Sequence, residues 1–261
     1  MLDAKFYETY YFCNVINNVL HNQFDWAVEL NDFYGDGRIF SLINSFSKFS
    51  AFHEFIAFIV ESIYTENSEK IDFKKMNKLP IEWAFDYHHI DYQSFKSYLK
   101  SDATQHTFLD DAYHEWLRAS SSYEALIDQT VSEVFYVLFQ NRGLLLRFNN
   151  MLSSNLEGQI DDAKTFGCEY ISEKGRIKRT HIPSWVKRAV FYRDRGRCVL
   201  CDKDLSGTLS LDNHANYDHM VALANCGFND VSNIQLLCKE CNQIGKRAGE
   251  AVTSTLYQNW Y

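Results

Sequence analysis

Two pairs of closely spaced cysteines carry the clearest chemical signal in the chain. Cys198 and Cys201 form one Cys-x-x-Cys pair, and Cys238 and Cys241 form a second pair later in the sequence. Each pair can turn two thiolates towards one ion, and four sulfur ligands favour tetrahedral Zn²⁺. Four protein ligands leave no open coordination position on the ion. The sequence therefore predicts a closed, structural zinc site that stabilises a small domain.

Beside the cysteines lie residues of the types that hydrolyse phosphodiester bonds. His219 is the candidate general base, because a neutral imidazole titrates near working pH. Asp218 offers a carboxylate oxygen and Asn242 an amide oxygen to a hard divalent cation. Such a cation stabilises the charge that develops on the phosphate and on the leaving oxygen. Neighbouring side chains on a strand point to opposite faces, so Asp218 and His219 need a hairpin or distorted setting to converge.

The order of these residues resembles the HNH endonuclease family in its four-cysteine zinc form. The resemblance rests on the Asp-His pair 218–219, on the run Asn-Ile-Gln-Leu-Leu-Cys at 233–238, and on Asn242 directly after the last cysteine. A basic helix before the first cysteine completes the pattern, which covers residues 182–247. Asn242 stands where the family commonly has His, so the motif is of the HNN form.

This resemblance implies a ββα-metal hairpin and helix that cleave nucleic acid to leave a 5′-phosphate. It implies that His219 is the base and that Asp218 and Asn242 bind a catalytic Mg²⁺ or Mn²⁺. Asn233 would then bond across the loop and fix the backbone that aims His219. DNA is the expected substrate, and bacterial restriction or anti-phage defence is the setting that analogy suggests.

Charge is distributed unevenly along the chain. The whole sequence has a net charge of −8, but residues 1–165 carry −11 and residues 166–261 carry +3. Basic side chains cluster between residues 174 and 197, where they could neutralise backbone phosphates without reading a base sequence. The candidate nucleic-acid contacts are Lys178, Arg179, Lys187, Arg188, Arg193, Arg195 and Lys246.

The elements that must position these residues divide into a helical part and a zinc-stapled part. Apolar residues recur every three or four positions in the first 160 residues, which predicts helices, the first two over about 4–32 and 38–64. Pro183-Ser184 is expected to begin a helix that runs to about Arg193. The predicted fold class is α+β, with a mainly α-helical N-terminal domain and a small C-terminal ββα-metal domain.

Changes in composition suggest the domain boundaries. We expect a helical domain over 1–160, a basic polar linker over 161–181, an HNH domain over 182–250 and a C-terminal tail over 251–261. The acidic helical domain has no Gly-rich phosphate loop, so an ATPase is not indicated. We expect it to bind a protein partner, to self-associate or to regulate the nuclease.

Composition and cysteine usage exclude several other classes of protein. Hydrophobic residues make up 46% and aromatic residues 16% of the chain, which excludes general disorder. No apolar run reaches the length of a membrane span, and the N-terminus lacks the pattern of a secretory signal. Seven cysteines, four of them in metal-type pairs, indicate a reducing compartment. The expected location is the cytoplasm, without membrane contact.

Two other interpretations remain open at this point. The C-terminal module could be a non-catalytic zinc module that binds nucleic acid or a partner protein. That interpretation predicts binding that survives His219→Ala and no metal-dependent cutting. Alternatively, the acidic domain is the working surface, which predicts a stoichiometric protein partner and little affinity for DNA at physiological salt.

Overall fold

The structure is a computed structural model that describes residues 1–43, 45–69, 78–101, 109–165, 169–207, 215–244 and 251–257. It is mostly helical, with one small antiparallel sheet near the C-terminus, which confirms the α+β prediction. No helix within these ranges is both long enough and apolar enough to cross a membrane. The helices are α1 Thr9–His21, α2 Ala27–Tyr34, α3 Ile39–Leu42, α4 Ala51–Glu69, α5 Pro80–His88, α6 Phe95–Ser101, α7 Leu109–Arg118, α8 Ser121–Leu138, α9 Arg142–Gly158, α10 Ile160–Thr165, α11 Ser184–Arg193 and α12 Lys239–Ile244. The strands are β1 Asn216–His219 and β2 Ile234–Leu237, and the short 3₁₀ turns are Leu223–Asn225 and Val231–Asn233.

Local sequence explains where two of the helices begin. The side chain of Asn141 accepts a hydrogen bond from the Leu144 amide at 3.1 Å and so caps the start of α9. Helix α11 follows Pro183, whose fixed φ suits the start of a helix, and the predicted helix at this position is confirmed.

The two long helices predicted for the first 64 residues are each interrupted. A turn over residues 22–26 separates α1 from α2, and residues 43–50 separate α3 from α4. Both breaks contain Asn, Asp or Ser, whose side chains compete with helical hydrogen bonding. The periodicity of the apolar residues continues through these breaks, which is why the sequence pattern did not reveal them.

One compact unit consists of residues 1–16 and 55–136. The buried carboxylate of Glu133 accepts hydrogen bonds from the backbone amides of Lys5 at 2.6 Å and Phe6 at 2.8 Å, which fixes the N-terminal residues on this unit. Large buried aromatic side chains in its core are Phe12, Phe55, Phe85 and Tyr113.

The second compact unit consists of residues 17–54 and 137–261. In sequence, it therefore combines a helical stretch before residue 55 and another after residue 136 with the cysteine-rich segment. Within it, the rings of Phe52 and Phe148 pack with their centroids 4.9 Å apart. The domain boundary suggested near residue 160 stays a prediction, and this division keeps α9 together with the C-terminal residues.

Helix α4 and the region before it contact the loop that precedes β2. The carboxylate of Asp230 accepts a hydrogen bond from the Ala51 amide at 2.8 Å, at the first residue of α4. The Phe46 amide donates to the Asn229 carbonyl at 2.8 Å. The first of these bonds satisfies a backbone amide at a helix start that would otherwise lack a partner.

The described part of the predicted linker has regular local structure. Its first residues form α10, and Ile171 and Ile177 then pair as an antiparallel bridge with both side chains buried. The Lys178 carbonyl beyond this bridge accepts a hydrogen bond from the Asn229 side chain at 2.8 Å. The bridged segment, residues 171–177, is called the basic hairpin below.

The segment at residues 251–257, predicted as a tail, is bound along its length. Gln235 on β2 donates from its side chain to the Val252 carbonyl at 2.7 Å. Arg142 donates from Nε to the Ser254 carbonyl at 3.1 Å. Thus the C-terminal segment joins the first residue of α9 to the sheet.

A buried charge cluster joins three elements of the second unit around one carboxylate. Asp194 accepts two hydrogen bonds from Arg193, each at 2.9 Å, and lies 3.4 Å from the Arg142 guanidinium. It also accepts from the Leu236 amide on β2 at 3.0 Å, while Arg193 donates to the Ile234 carbonyl at 2.7 Å. The end of α11 is therefore fixed against β2 and α9.

Replacement of this carboxylate should destabilise the protein strongly. We expect Asp194→Ala to lower the free energy of unfolding by about 3–5 kcal/mol, because it leaves buried guanidinium groups without a counter-charge. Urea denaturation followed by circular dichroism measures the change.

Asp202→Ala is the matched control, since its carboxylate pairs with Arg197 at 3.1 Å but is 69% exposed. We expect that variant to lose no more than about 1 kcal/mol. Equal losses of unfolding free energy in the two variants would show that the buried pairing at Asp194 stabilises the protein no more than an exposed ion pair does.

Candidate active site and metal centre

The four paired cysteines converge in the structure. Their sulfur atoms all lie within 4.8 Å of one another, and the sulfurs of Cys201 and Cys238 are 3.7 Å apart. A tetrahedral zinc ion with bonds of about 2.3 Å to sulfur requires sulfur–sulfur distances of about 3.8 Å. The donor set and its spacing therefore fit one zinc ion bound by four thiolates. The predicted metal ligands Cys198, Cys201, Cys238 and Cys241 form this cluster.

Turns on two different elements aim the cysteine pairs at each other. The first pair follows α11 through a turn in which Gly196 has φ 62°, and the Val199 amide then donates to the Leu236 carbonyl on β2 at 3.0 Å. The second pair spans the start of α12, where the Cys241 amide donates to the Cys238 sulfur at 3.4 Å. Strand β2 therefore sets the separation of the two pairs.

Without a bound cation, the cluster disfavours ionisation of all four thiols together. Burial raises the pKa of the Cys238 thiol to about 11, and burial together with hydrogen bonds from neighbouring sulfurs raises the pKa of Cys241 further. Four thiolates at this spacing repel one another unless a cation lies between them. An ion pair between Lys203 and Glu240, 3.3 Å long, links the two cysteine turns at the surface.

The hairpin of β1 and β2 carries the predicted catalytic pair. The strands are antiparallel, with Asp218 opposite Gln235 and His219 opposite Ile234. His219 is buried at the end of β1, and Asp218 is half-buried. The sheet therefore presents these two neighbouring side chains at the point where the loop to β2 begins.

Asn233 holds the ends of this loop together. Its side chain is fully buried, accepts a hydrogen bond from the Val221 amide at 2.9 Å and donates to the Val221 carbonyl at 3.0 Å. The same amide group donates to the Phe228 carbonyl at 2.9 Å. Three bonds from one side chain fix the backbone just after His219. Its role in catalysis remains a prediction.

The turn within this loop depends on one glycine. A Cβ atom on Gly227 would lie 2.0 Å from the Val221 carbonyl oxygen, so no other residue fits at this position without a shift of the backbone. Cys226, the residue before it, takes a left-handed conformation with φ 58°. The turn is thus made by one glycine and one left-handed cysteine.

Asn229 contacts the His219 ring and was not identified from the sequence. Its Nδ2 donates to the Lys178 carbonyl at 2.8 Å, so its Oδ1 is the atom that faces His219 Nε2, at 3.2 Å. Because Oδ1 can only accept, this contact requires a proton on Nε2 and leaves the lone pair on Nδ1. No spacing pattern could have revealed the contact, since it depends on the path of the loop.

The environment of His219 favours the neutral ring. Burial lowers its pKa to about 4, the hydrogen bond with Asn229 opposes that shift, and the positive charge of Arg179 adds to it. A neutral imidazole at neutral pH has a free nitrogen that can accept a proton.

The side-chain oxygen of Asn242 is buried and is of the type that binds hard cations. It lies on α12, which packs against β1, and its Oδ1 is buried without a hydrogen-bond donor among the residues that the structure describes. A buried amide oxygen without a partner is energetically costly, and coordination to a hard cation would remove that cost. The residue type and its environment therefore fit a divalent ion.

The predicted nucleic-acid contacts fall into three groups. Lys178, Arg179, Arg188 and Arg195 are exposed and Lys187 is half-exposed, so each can reach a phosphate. Lys246 lies outside the described residues. Arg193 is buried and bonded to Asp194 and to β2, so it is not retained as a phosphate contact.

Comparison with known proteins assigns the cysteine-rich segment. Residues 198–256 match the model of the HNH endonuclease family, a match that includes both cysteine pairs, the sheet and α12. No curated protein and no solved structure matches the chain. The C-terminal segment is thus similar to HNH endonucleases in sequence and has the four-cysteine cluster of a zinc site, while residues 1–197 stay unassigned.

Loss of one cysteine of the cluster should remove the zinc. We expect purified wild-type protein to contain about one zinc ion per chain and Cys241→Ser to contain far less, because three thiolates and a hydroxyl bind zinc weakly. The measurements are elemental analysis for zinc and thermal unfolding.

Cys226→Ser is the control for this experiment, since Cys226 is buried but lies outside the cluster. It should retain its zinc. Full zinc content in Cys241→Ser would show that the cluster is not the metal site.

Proposed function

We propose that this protein is a metal-dependent endonuclease that hydrolyses phosphodiester bonds in DNA. The observation that carries the proposal is the loop between β1 and β2 in a segment that matches HNH endonucleases. In this loop Asn233 fixes the backbone and Asn229 orients a neutral His219, while β2 leads into the second pair of the four-cysteine cluster. Such a preorganised base is a feature of catalytic sites and is unnecessary in a binding module.

His219 acts as the general base in this proposal. Nδ1 accepts a proton from a water molecule while the water oxygen forms a bond to phosphorus. The bond from phosphorus to the 3′ oxygen breaks, which leaves a 5′-phosphate on one product strand and, after that oxygen takes a proton from solvent, a 3′-hydroxyl on the other. Asn229 supports this role because its hydrogen bond keeps the proton on Nε2 and the ring in a fixed orientation.

Asp218 and Asn242 would hold the divalent ion, Mg²⁺ or Mn²⁺. When bound, such an ion stabilises the negative charge that develops on the phosphate and the leaving oxygen. The proposal is supported by the oxygen ligands that these residues provide, and above all by the buried Asn242 oxygen that lacks a donor in the described structure.

Exposed basic residues would hold the DNA backbone at this site. Arg179 lies close enough to lower the pKa of His219, so a phosphate bound by Arg179 would lie near the base. The neighbouring exposed residues of the basic run would extend this contact along the strand. Backbone contacts of this kind position DNA without selecting a sequence.

The cellular setting is proposed by analogy. Helical domains are often joined to such nucleases in bacterial restriction and anti-phage defence, and this analogy suggests the same setting here. The thiolate cluster is suited to a reducing cytoplasm. The acidic residues 1–165 would provide the surface for a protein partner or for self-association.

Cutting of DNA should depend on His219. We expect wild-type protein to nick plasmid DNA in the presence of Mg²⁺ or Mn²⁺, and His219→Ala to be about 10²- to 10⁴-fold slower, because the general base is lost. Gel electrophoresis measures the rate, and zinc analysis of both proteins checks the fold.

His181→Ala is the matched control, because His181 is an exposed histidine of the same region that lies outside the proposed site. It should cut at the wild-type rate. No cutting by a zinc-loaded wild type, together with retained DNA binding, would favour the non-catalytic zinc module instead.

Asn229 should contribute to the rate of the chemical step. We expect Asn229→Ala to lower kcat by about 10- to 100-fold with KM unchanged, since the ring loses the partner that sets its orientation. Asn229→Asp keeps an acceptor for Nε2–H and should recover part of the loss.

Steady-state kinetics on a fluorescent oligonucleotide duplex separates kcat from KM in these variants. A wild-type kcat in Asn229→Ala would contradict the proposed orientation. So would a loss confined to KM.

A further inference from the structure

A cavity of about 510 Å³ flanks the loop that follows His219. Helices α9 and α10 form one side of it, and the basic hairpin forms another. The loop contributes Val221 and Cys226 to the apolar part of the lining. Cavities of this size are typical of sites for small organic ligands, and an isolated phosphate would fill only a small part of it.

The charges around this cavity favour an anion. Lys164, Lys174 and Arg176 line it, and Glu157 is the one acidic residue among the described residues of its wall. Lys164 also pairs with Asp161 at 3.0 Å, but that carboxylate is 91% exposed and therefore screens it weakly. The wall thus has an excess of positive charge.

The basic hairpin brings two of these cations to the cavity mouth. Gly175, with φ 69°, forms the tip between Lys174 and Arg176. A Cβ atom on Gly175 would lie only 3.2 Å from the Lys164 ammonium nitrogen, so α10 and the hairpin tip are in close contact. The three cationic side chains therefore arise from neighbouring positions on two elements.

Neutral polar groups complete the lining. The Ser153 hydroxyl donates to the Asn150 carbonyl at 3.1 Å, and the Asn150 and Asn225 residues both border the cavity. Amide side chains can donate to or accept from a sugar or a base. A lining that combines cations, amide groups and apolar side chains suits a phosphate joined to a nucleoside.

The cavity and the proposed catalytic loop share a residue. Val221, which lines it, lies two residues after His219 and is bonded through both its amide and its carbonyl to Asn233. The loop that follows His219 therefore also forms part of the cavity wall.

We propose that this cavity is a nucleotide subsite, in which Lys164, Lys174 and Arg176 bind the phosphate of one nucleotide of the strand held at His219. The assignment to the strand rests on the proposed nuclease function. A free nucleotide has the same chemistry, so the experiment must separate the two sources.

The test measures binding of a fluorescent single-stranded oligonucleotide by full-length His219→Ala protein over a range of salt concentrations. The catalytically silent background makes the result independent of whether the wild type cuts DNA. Relative to this parent, added Lys174→Ala and Arg176→Ala should weaken binding, and the slope of log K against log salt should fall by about 0.7 for each lost phosphate contact.

Two matched variants distinguish binding in the cavity from non-specific electrostatic attraction to the protein surface. Lys48→Ala removes an exposed cation away from the cavity and should leave affinity and slope unchanged. Ala224→Phe keeps every charge but places a bulky ring at the exposed cavity wall, and should lower the affinity because the nucleotide no longer fits. Zinc content and thermal melting verify the fold of each protein.

Three outcomes would overturn the proposal. An unchanged slope in the Lys174/Arg176 variant would exclude phosphate contacts, and wild-type affinity in Ala224→Phe would exclude entry of the strand into the cavity. If adenosine monophosphate binds the parent and not the double variant while oligonucleotide binding is unchanged, the ligand is a free nucleotide and the strand assignment fails. Failure of the nuclease function alone would appear only as absent cutting by the wild type.

Discussion

The arrangement of the second unit depends on one buried carboxylate. Asp194 lies at the end of α11, bonds to the neighbouring Arg193 and to the β2 backbone, and contacts Arg142 at the start of α9. A buried carboxylate is costly unless it is paired, so these contacts favour the arrangement in which the three elements meet at Asp194. Cys198 follows four residues later, so the same contacts help to position the first cysteine pair relative to β2.

Three asparagines perform different tasks around the hairpin. Asn233 bonds to backbone groups, Asn229 bonds to the His219 ring, and Asn242 has a buried oxygen without a donor in the described structure. The amide side chain can do all three because it is neutral and has both donors and acceptors. Charged residues at the same buried positions would disturb the proton affinity of His219. The site thus obtains precise orientation with little added charge.

Features carried by local spacing could be predicted from the sequence. The cysteine pairs, the helix over 184–193 and the α+β class all follow from patterns within a few residues. The burial of Arg193 also had a local signal, because Val186, Val190 and Arg193 recur at helical spacing on one face. The excess of basic residues around it favoured the other interpretation.

Features that require distant segments to meet could not be predicted. The bond from Asn229 to His219 depends on the loop path, and the cavity combines α9, α10, the basic hairpin and the loop. Similarly, the breaks after α1 and α3 arise from short polar turns inside a continuous apolar periodicity. Sequence periodicity reports which face is buried and says little about where the chain changes direction.

The hydrogen bonds between segments far apart in the sequence have a consequence for the order of folding. Asp230 and Ala51 are 179 residues apart in sequence, and Arg142 and Ser254 are 112 apart. Contacts of this separation form late, because the entropy of closing a long loop must be overcome first. The two cysteine pairs, by contrast, are only 37 residues apart in sequence. A folding chain would therefore bring its zinc ligands together before the loop between β1 and β2 docks on α4, and metal content alone would not distinguish the mature protein from an immature one.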